Sequence, residues 1–116
     1  STPDEFRPIV RLFQENGYKE ADINLGCPFP MQVRAHRGSG LLRYKEEAES
    51  LLRTIEEFPD ISFSVKMRLG WECTDESFVL LSLLNKLPLK HITLHPRLGI
   101  QQYKGAIDWG WILSFL

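Results

Sequence analysis

Three short segments hold the residue types that could do chemistry, and each ends where an alternating run meets glycine or proline. The first is Asn24-Leu25-Gly26-Cys27-Pro28. A thiol just past such a run, with a proline stiffening the chain behind it, can donate a proton. It can also act as a nucleophile where a nearby cation favours the thiolate. Taken alone, a single cysteine reads first as a small buried hydrophobe. The flanking Asn24 and Gly26 weaken that plainer reading without removing it.

The second segment is Ser64-Val65-Lys66-Met67-Arg68-Leu69-Gly70. On an extended chain Lys66 and Arg68 point to the same face, with Val65 and Met67 on the other. Turned inward, the two cations repel one another unless an anion or an electron-rich ligand lies beside them. A flavin ring, whose N1–O2 edge gains negative charge on reduction, is such a ligand. A solvated basic face on an edge strand explains the same pair equally well. The third segment, Thr93-Leu94-His95-Pro96-Arg97, places a histidine where the others place Asn24 and Lys66. A lone histidine is more often structural, and this alignment shifts the balance towards a site.

Other residues carry less. Trp71, Trp109 and Trp111 can stack on a base or a flavin, but aromatic residues at such spacing more often belong to a core. Arg34, His36 and Arg37 make one local basic cluster in a chain of net charge -1. A solvated loop is the plainer reading of that cluster, and the overall charge argues mildly against a polyanion partner. Cys27 and Cys73 are too few for a disulfide scaffold and match no zinc spacing, so no metal is expected; Cys73 receives no role. With 43% hydrophobic and 25% charged residues, the composition is that of an ordinary soluble globular protein. No apolar run approaches the roughly 18 residues that cross a membrane, and no signal-peptide pattern opens the sequence. The expected compartment is the cytoplasm.

These segments need elements to position them. At 116 residues the chain is one domain at most. Thr2, Pro3 and Glu5 predict a capped helix with Phe6, Ile9, Val10 and Phe13 on its apolar face, closed by Gly17. A strand is expected over 21–25, a glycine-rich loop over 38–40, and a helix over about 42–58, stopped by Pro59. A strand over 61–68, a helix over about 75–87 and a strand over 91–95 follow. A last helix begins after Asp108 and still carries Trp111, Ile112, Leu113, Phe115 and Leu116 where the sequence stops.

Strands alternating with helices predict βαβ units and a parallel sheet. Each strand is apolar on one face and polar on the other: Ile23, Leu25, Phe63, Val65, Met67, Ile92 and Leu94 against Asp22, Asn24, Ser64, Lys66, Arg68, Thr93 and His95. A parallel strand covered by helices on both sides should be hydrophobic nearly throughout. One polar face, more reactive towards the C-terminal ends, instead suits an arc of a (β/α)8 TIM barrel. An intact barrel runs to about 250 residues. The 116 residues are therefore expected to be a fragment, an excised subdomain, or a chain that self-associates to cover its open sheet edges.

Taken together, the motifs resemble the tRNA-dihydrouridine synthase family. Asp22-Ile23-Asn24-Leu25-Gly26-Cys27-Pro28 is similar to its cysteine signature, and Arg37-Gly38-Ser39-Gly40-Leu41-Leu42 to its glycine-rich turn. Val65–Gly70, Thr93–Arg97, Gln102–Gly105 and Asp108-Trp109 follow in the family's order and spacing. The family usually has glycine near the position of His36 and often at Pro96.

The resemblance implies a flavin mononucleotide (FMN) enzyme that reduces uridine to 5,6-dihydrouridine in tRNA at the expense of NADPH. Residues 1–116 would be the central part of its barrel domain, with the helical tRNA-binding domain absent and the segment inactive alone. Cys27 would be the general acid, Lys66 and His95 would contact the flavin, and Asn24, Arg68 and Tyr103 would position the uridine. Two rivals stand beside this expectation: a folded, non-catalytic piece without flavin, and another FMN barrel such as a dihydroorotate or enoate reductase.

Overall fold

The computed structural model describes residues 2–115; Leu116, part of the expected last helix, lies outside them. Helix α1 (Pro3–Glu15) starts as its sequence dictates. The Thr2 hydroxyl accepts from the Glu5 amide at 3.3 Å, and the Thr2 amide donates to the Glu5 carboxylate at 3.2 Å. This reciprocal cap satisfies two amides that have no partner inside the helix. Gly17, at φ +78°, turns the chain out of the helix.

Strands β1 (Glu20–Leu25), β2 (Ser62–Arg68) and β3 (Leu89–His95) form one parallel sheet in the order β1-β2-β3. The crossovers carry α2 (Pro30–Arg34) and α3 (Lys45–Arg53) between β1 and β2, and α4 (Asp75–Leu84) between β2 and β3. Helix α5 (Trp109–Phe115) follows β3.

The long helix expected over 42–58 is broken instead. Residues Gly38–Arg43 wind as a 3-10 turn, Tyr44 leaves helical angles at φ -112° and ψ 77°, and α3 gives way to a second 3-10 turn over Thr54–Glu57. Burial is the physical reason: Gly38 to Leu42 are all buried against the sheet. An α-helix begun at Leu42 would turn that side chain about a third of a turn away from the face on which α3 aims Ala48, Leu51 and Leu52 inward. Helix α2 is five residues long, too short to show an apolar period.

One core lies between the sheet and the helices. Leu25, Phe63, Val65 and Met67 from the strands meet Val10 of α1, Ala48, Leu51 and Leu52 of α3, and Leu80 and Leu84 of α4. Each fully buried aliphatic side chain contributes about 1.5–3 kcal/mol. The other face of the sheet carries Asp22, Asn24, Lys66 and Thr93, all exposed. Helices on one face and exposed polar side chains on the other make the chain an arc of an α/β barrel, as the strand pattern predicts.

Candidate active site

The parallel register sets the site. Asn24 pairs with Lys66, Lys66 with Thr93, and Arg68 with His95, so the candidate side chains share one face at the C-terminal ends of the strands.

Cys27 follows β1, and its backbone is held on every side. The Asn24 carboxamide oxygen accepts from the amides of Gly26 (2.9 Å) and Cys27 (3.2 Å). The Cys27 carbonyl accepts both the Ser39 amide and the Ser39 hydroxyl at 2.9 Å. Gly38 permits this approach. It stands at φ +56°, and a Cβ there would lie 2.5 Å from the Cys27 carbonyl oxygen. The thiol itself is half-buried, with a rigid base beneath it. The sequence marks Gly38-Ser39-Gly40 as a glycine-rich turn but assigns Ser39 no role of its own. The one usable signal was a serine between two glycines directly before Leu41 and Leu42.

Arg68 is 1% exposed. Its Nε donates to the Gly26 carbonyl at 2.8 Å, and its Nη1 to the carbonyls of Leu98 (3.1 Å) and Gln102 (2.5 Å). The guanidinium thus ties the loop after β1 to the loop after β3. Gln102 takes a positive φ, 53°, with ψ -108° in that second loop. Burial lowers the Arg68 pKa below its ordinary value, and Tyr103, whose ring centre is 5.1 Å from the guanidinium carbon, opposes the shift. Lys66, by contrast, is exposed, and no carboxylate pairs with it among the described residues.

His95 is half-buried, and its ring centre lies 6.2 Å from that of Tyr103. Arg97 Nη1 stands 3.0 Å from His95 Nε2. A guanidinium can only donate, so Nε2 is the acceptor and the neutral ring carries its proton on Nδ1. Desolvation, then the positive charges of Arg68, Arg97 and Lys66, hold the His95 pKa below 6.5.

An NMR titration of the His95 ring should therefore show a midpoint below 6.5, and Arg97→Leu should raise it. A wild-type midpoint at or above 6.5 would contradict the assigned environment. Because the folded pKa is depressed, the folded state binds fewer protons than the unfolded one just below that value. The stability contributed by neutral His95 is full above about pH 6.5 and declines as pH falls towards the folded pKa.

The remaining sequence candidates divide. Tyr103 sits over Arg68 and near His95, so it joins the site. Trp111 is buried against Phe78, the core role expected of it, and Trp109 is exposed. The basic cluster is largely spoken for. Arg37 pairs with Glu5 at 3.6 Å, and His36 Nδ1 lies 2.8 Å from Glu47 while its ring stacks on Tyr44 at 3.9 Å. His36 also stands at φ 53°, the conformation that glycine takes most easily.

Two cavities flank the sheet. One of about 660 Å³, lined by Lys19, Phe58, Pro59, Asp60, Lys86 and Pro88, opens at the N-terminal ends of the strands. Another of about 600 Å³ runs along the open edge of β1 beside Phe6, Ile9 and Phe13, and reaches Asn24 and Cys27 at one end. No helix among the described residues is long and apolar enough to cross a membrane.

A family model described as dihydrouridine synthase (Dus) matches residues 1–115. The chain is 32% identical over 111 residues to the "Probable tRNA-dihydrouridine synthase 1" of Synechocystis sp., an alignment covering 95% of this chain and 31% of that protein. It is 29% identical over 110 residues to "tRNA-dihydrouridine synthase B" of Klebsiella pneumoniae, covering 94% and 34%. It is 29% identical over 111 residues to the "Probable tRNA-dihydrouridine synthase" of Rickettsia bellii, covering 95% and 34%. The chain thus spans 31% to 34% of the length of these curated relatives.

Proposed function

The chain belongs to the dihydrouridine synthase family, and on that premise we propose that it is the central arc of a catalytic barrel that reduces uridine to 5,6-dihydrouridine in tRNA. The observation that carries this reading is the convergence of Cys27, Lys66 and His95 at one end of one sheet face, with the Cys27 backbone fixed by Asn24 and Ser39.

The face suits a flavin. Lys66 offers an exposed cation with no carboxylate pair among the described residues, and His95 offers an Nδ1 donor. Both can hold the electron-rich N1–O2 edge of the ring. When bound, FMN recharged by NADPH supplies the hydride that C6 of uracil receives. Hydride addition leaves enolate-like charge on the uracil, and the Cys27 thiol quenches it by giving its proton to C5. The thiolate left behind regains a proton from solvent.

Asn24 keeps the thiol in place through its own turn, and Tyr103 bounds the space into which the uracil enters. Arg68 positions the uridine through the two loops that it joins. The flavin phosphate and the main tRNA-binding surface lie outside residues 1–116, so this segment alone does not turn over. The reaction takes place in the cytoplasm, with tRNA.

A titration of the chain with FMN, followed by flavin fluorescence, tests the reading. Saturable binding is expected, weakened about tenfold or more by Lys66→Ala, the scale of one charge-assisted hydrogen bond. Equal affinity of the variant would remove Lys66 from the site. The absence of saturable binding by the wild-type chain would mean that these strand ends do not make a ring site by themselves.

A further inference from the structure

The loop that carries Cys27 also presents an aromatic ring with no part in the chemistry so far described. We propose that Phe29, backed by Tyr103, is a stacking platform for an unpaired nucleobase of the RNA. This rests on the reading of the site as one that acts on uridine in tRNA.

The sequence Pro28-Phe29-Pro30 fixes the backbone. A residue before proline is pushed into extended geometry, and Phe29 takes φ -69° and ψ 139°. Pro28 is buried, and Pro30 opens α2, so the ring is held from both sides. Yet 54% of Phe29 is exposed, beside a Tyr103 that is 62% exposed. Their ring centres lie 6.4 Å apart at 52°, across the mouth between the loops after β1 and β3. A rigid aromatic pair facing solvent costs hydration and makes little core. It gains a purpose if another flat apolar surface arrives.

The surroundings say which surface. Behind Tyr103 stand the Arg68 guanidinium at 5.1 Å and the His95 ring at 6.2 Å, with Arg97 bound to His95. Aromatic faces backed by cations suit a ligand that is flat and uncharged in one part and polyanionic in another. A nucleotide in a single strand has that character. A uridine in folded tRNA is stacked, and an enzyme that acts on its ring must draw it out of the stack. Phe29, two residues from the thiol, offers a replacement partner to the base being moved or to its neighbour.

The test is fluorescence anisotropy of this chain with a fluorescein-labelled oligouridylate of about ten nucleotides, a length that spans one such site. A strand of the same length with abasic residues serves as the control. Phe29→Ala should weaken oligouridylate binding about fivefold or more, Phe29→Trp should restore it, and Phe29→Leu should not. The abasic strand should bind wild type and Phe29→Ala alike, because it keeps the phosphates and loses the stack. The proposal is overturned by a Phe29→Ala affinity equal to wild type, by an equal loss on the abasic strand, by wild-type affinity in Phe29→Leu, or by no saturable binding of the wild-type chain. Failure of the underlying reading appears separately, in the FMN titration, which contains no RNA.

Discussion

Replacing Cys27 with alanine, in the full-length enzyme that contains this segment, should cut single-turnover reduction of uridine in tRNA by about 10²- to 10⁴-fold and leave flavin bound. The size follows from the step lost. Without a positioned acid, the charge left on uracil must be quenched by water that arrives by chance. Flavin retention should persist because the cofactor contacts proposed here come from β2 and β3, not from the thiol. The backbone at position 27 should hold its place too, since its hydrogen bonds run through the amide and carbonyl, which alanine keeps. Rapid-mixing absorbance of pre-reduced enzyme with unmodified tRNA reads the result. A rate within a few fold of wild type would end the assignment of Cys27 as proton donor.

Arg68→Met should destabilise the folded chain by about 2–4 kcal/mol, read as a fall in the urea midpoint with an unchanged slope. Methionine has a comparable length and is apolar, so it fills the space and removes the burial cost of the charge. It cannot donate, however, and the carbonyls of Gly26, Leu98 and Gln102 lose their shared partner. Each unsatisfied carbonyl costs about 1–3 kcal/mol where water cannot reach it, and relief of the desolvated charge offsets part of the sum. Arg68→Lys should recover only a fraction, because an ammonium lacks the fork that meets separate loops at once. A loss below about 0.5 kcal/mol for Arg68→Met, the scale of an ordinary surface substitution, would show that the clamp does not hold the loops together.

The pattern of polar and apolar residues explains why so much of the fold was legible. Strand alternation at Ile23, Leu25, Val65 and Met67 announced one covered face, and the cap at Thr2 and Glu5 announced where α1 begins. Both signals are local, set by side-chain direction and by amides near in sequence. The 3-10 turn over Gly38–Arg43 was not legible, because it follows from what Leu41 and Leu42 bury and from how closely Gly38 meets Cys27. Those contacts join residues that no periodicity relates.

The candidate site divides the same way. The sequence by itself determined which residues carry thiol, cation and imidazole, and that they fall at the ends of three successive strands: a side chain's type and its place in an alternating run are properties of the chain. The tertiary structure alone decided what each of them is tied to. Lys66 and Arg68, two residues apart on one face, look alike in the sequence. In the fold one stands exposed with no carboxylate pair among the described residues, and the other is buried among the carbonyls of loops that follow different strands. Likewise the proton on His95 Nδ1 is fixed by Arg97, and the grip on Cys27 comes from Ser39, because hydrogen bonds answer to distance and angle in space.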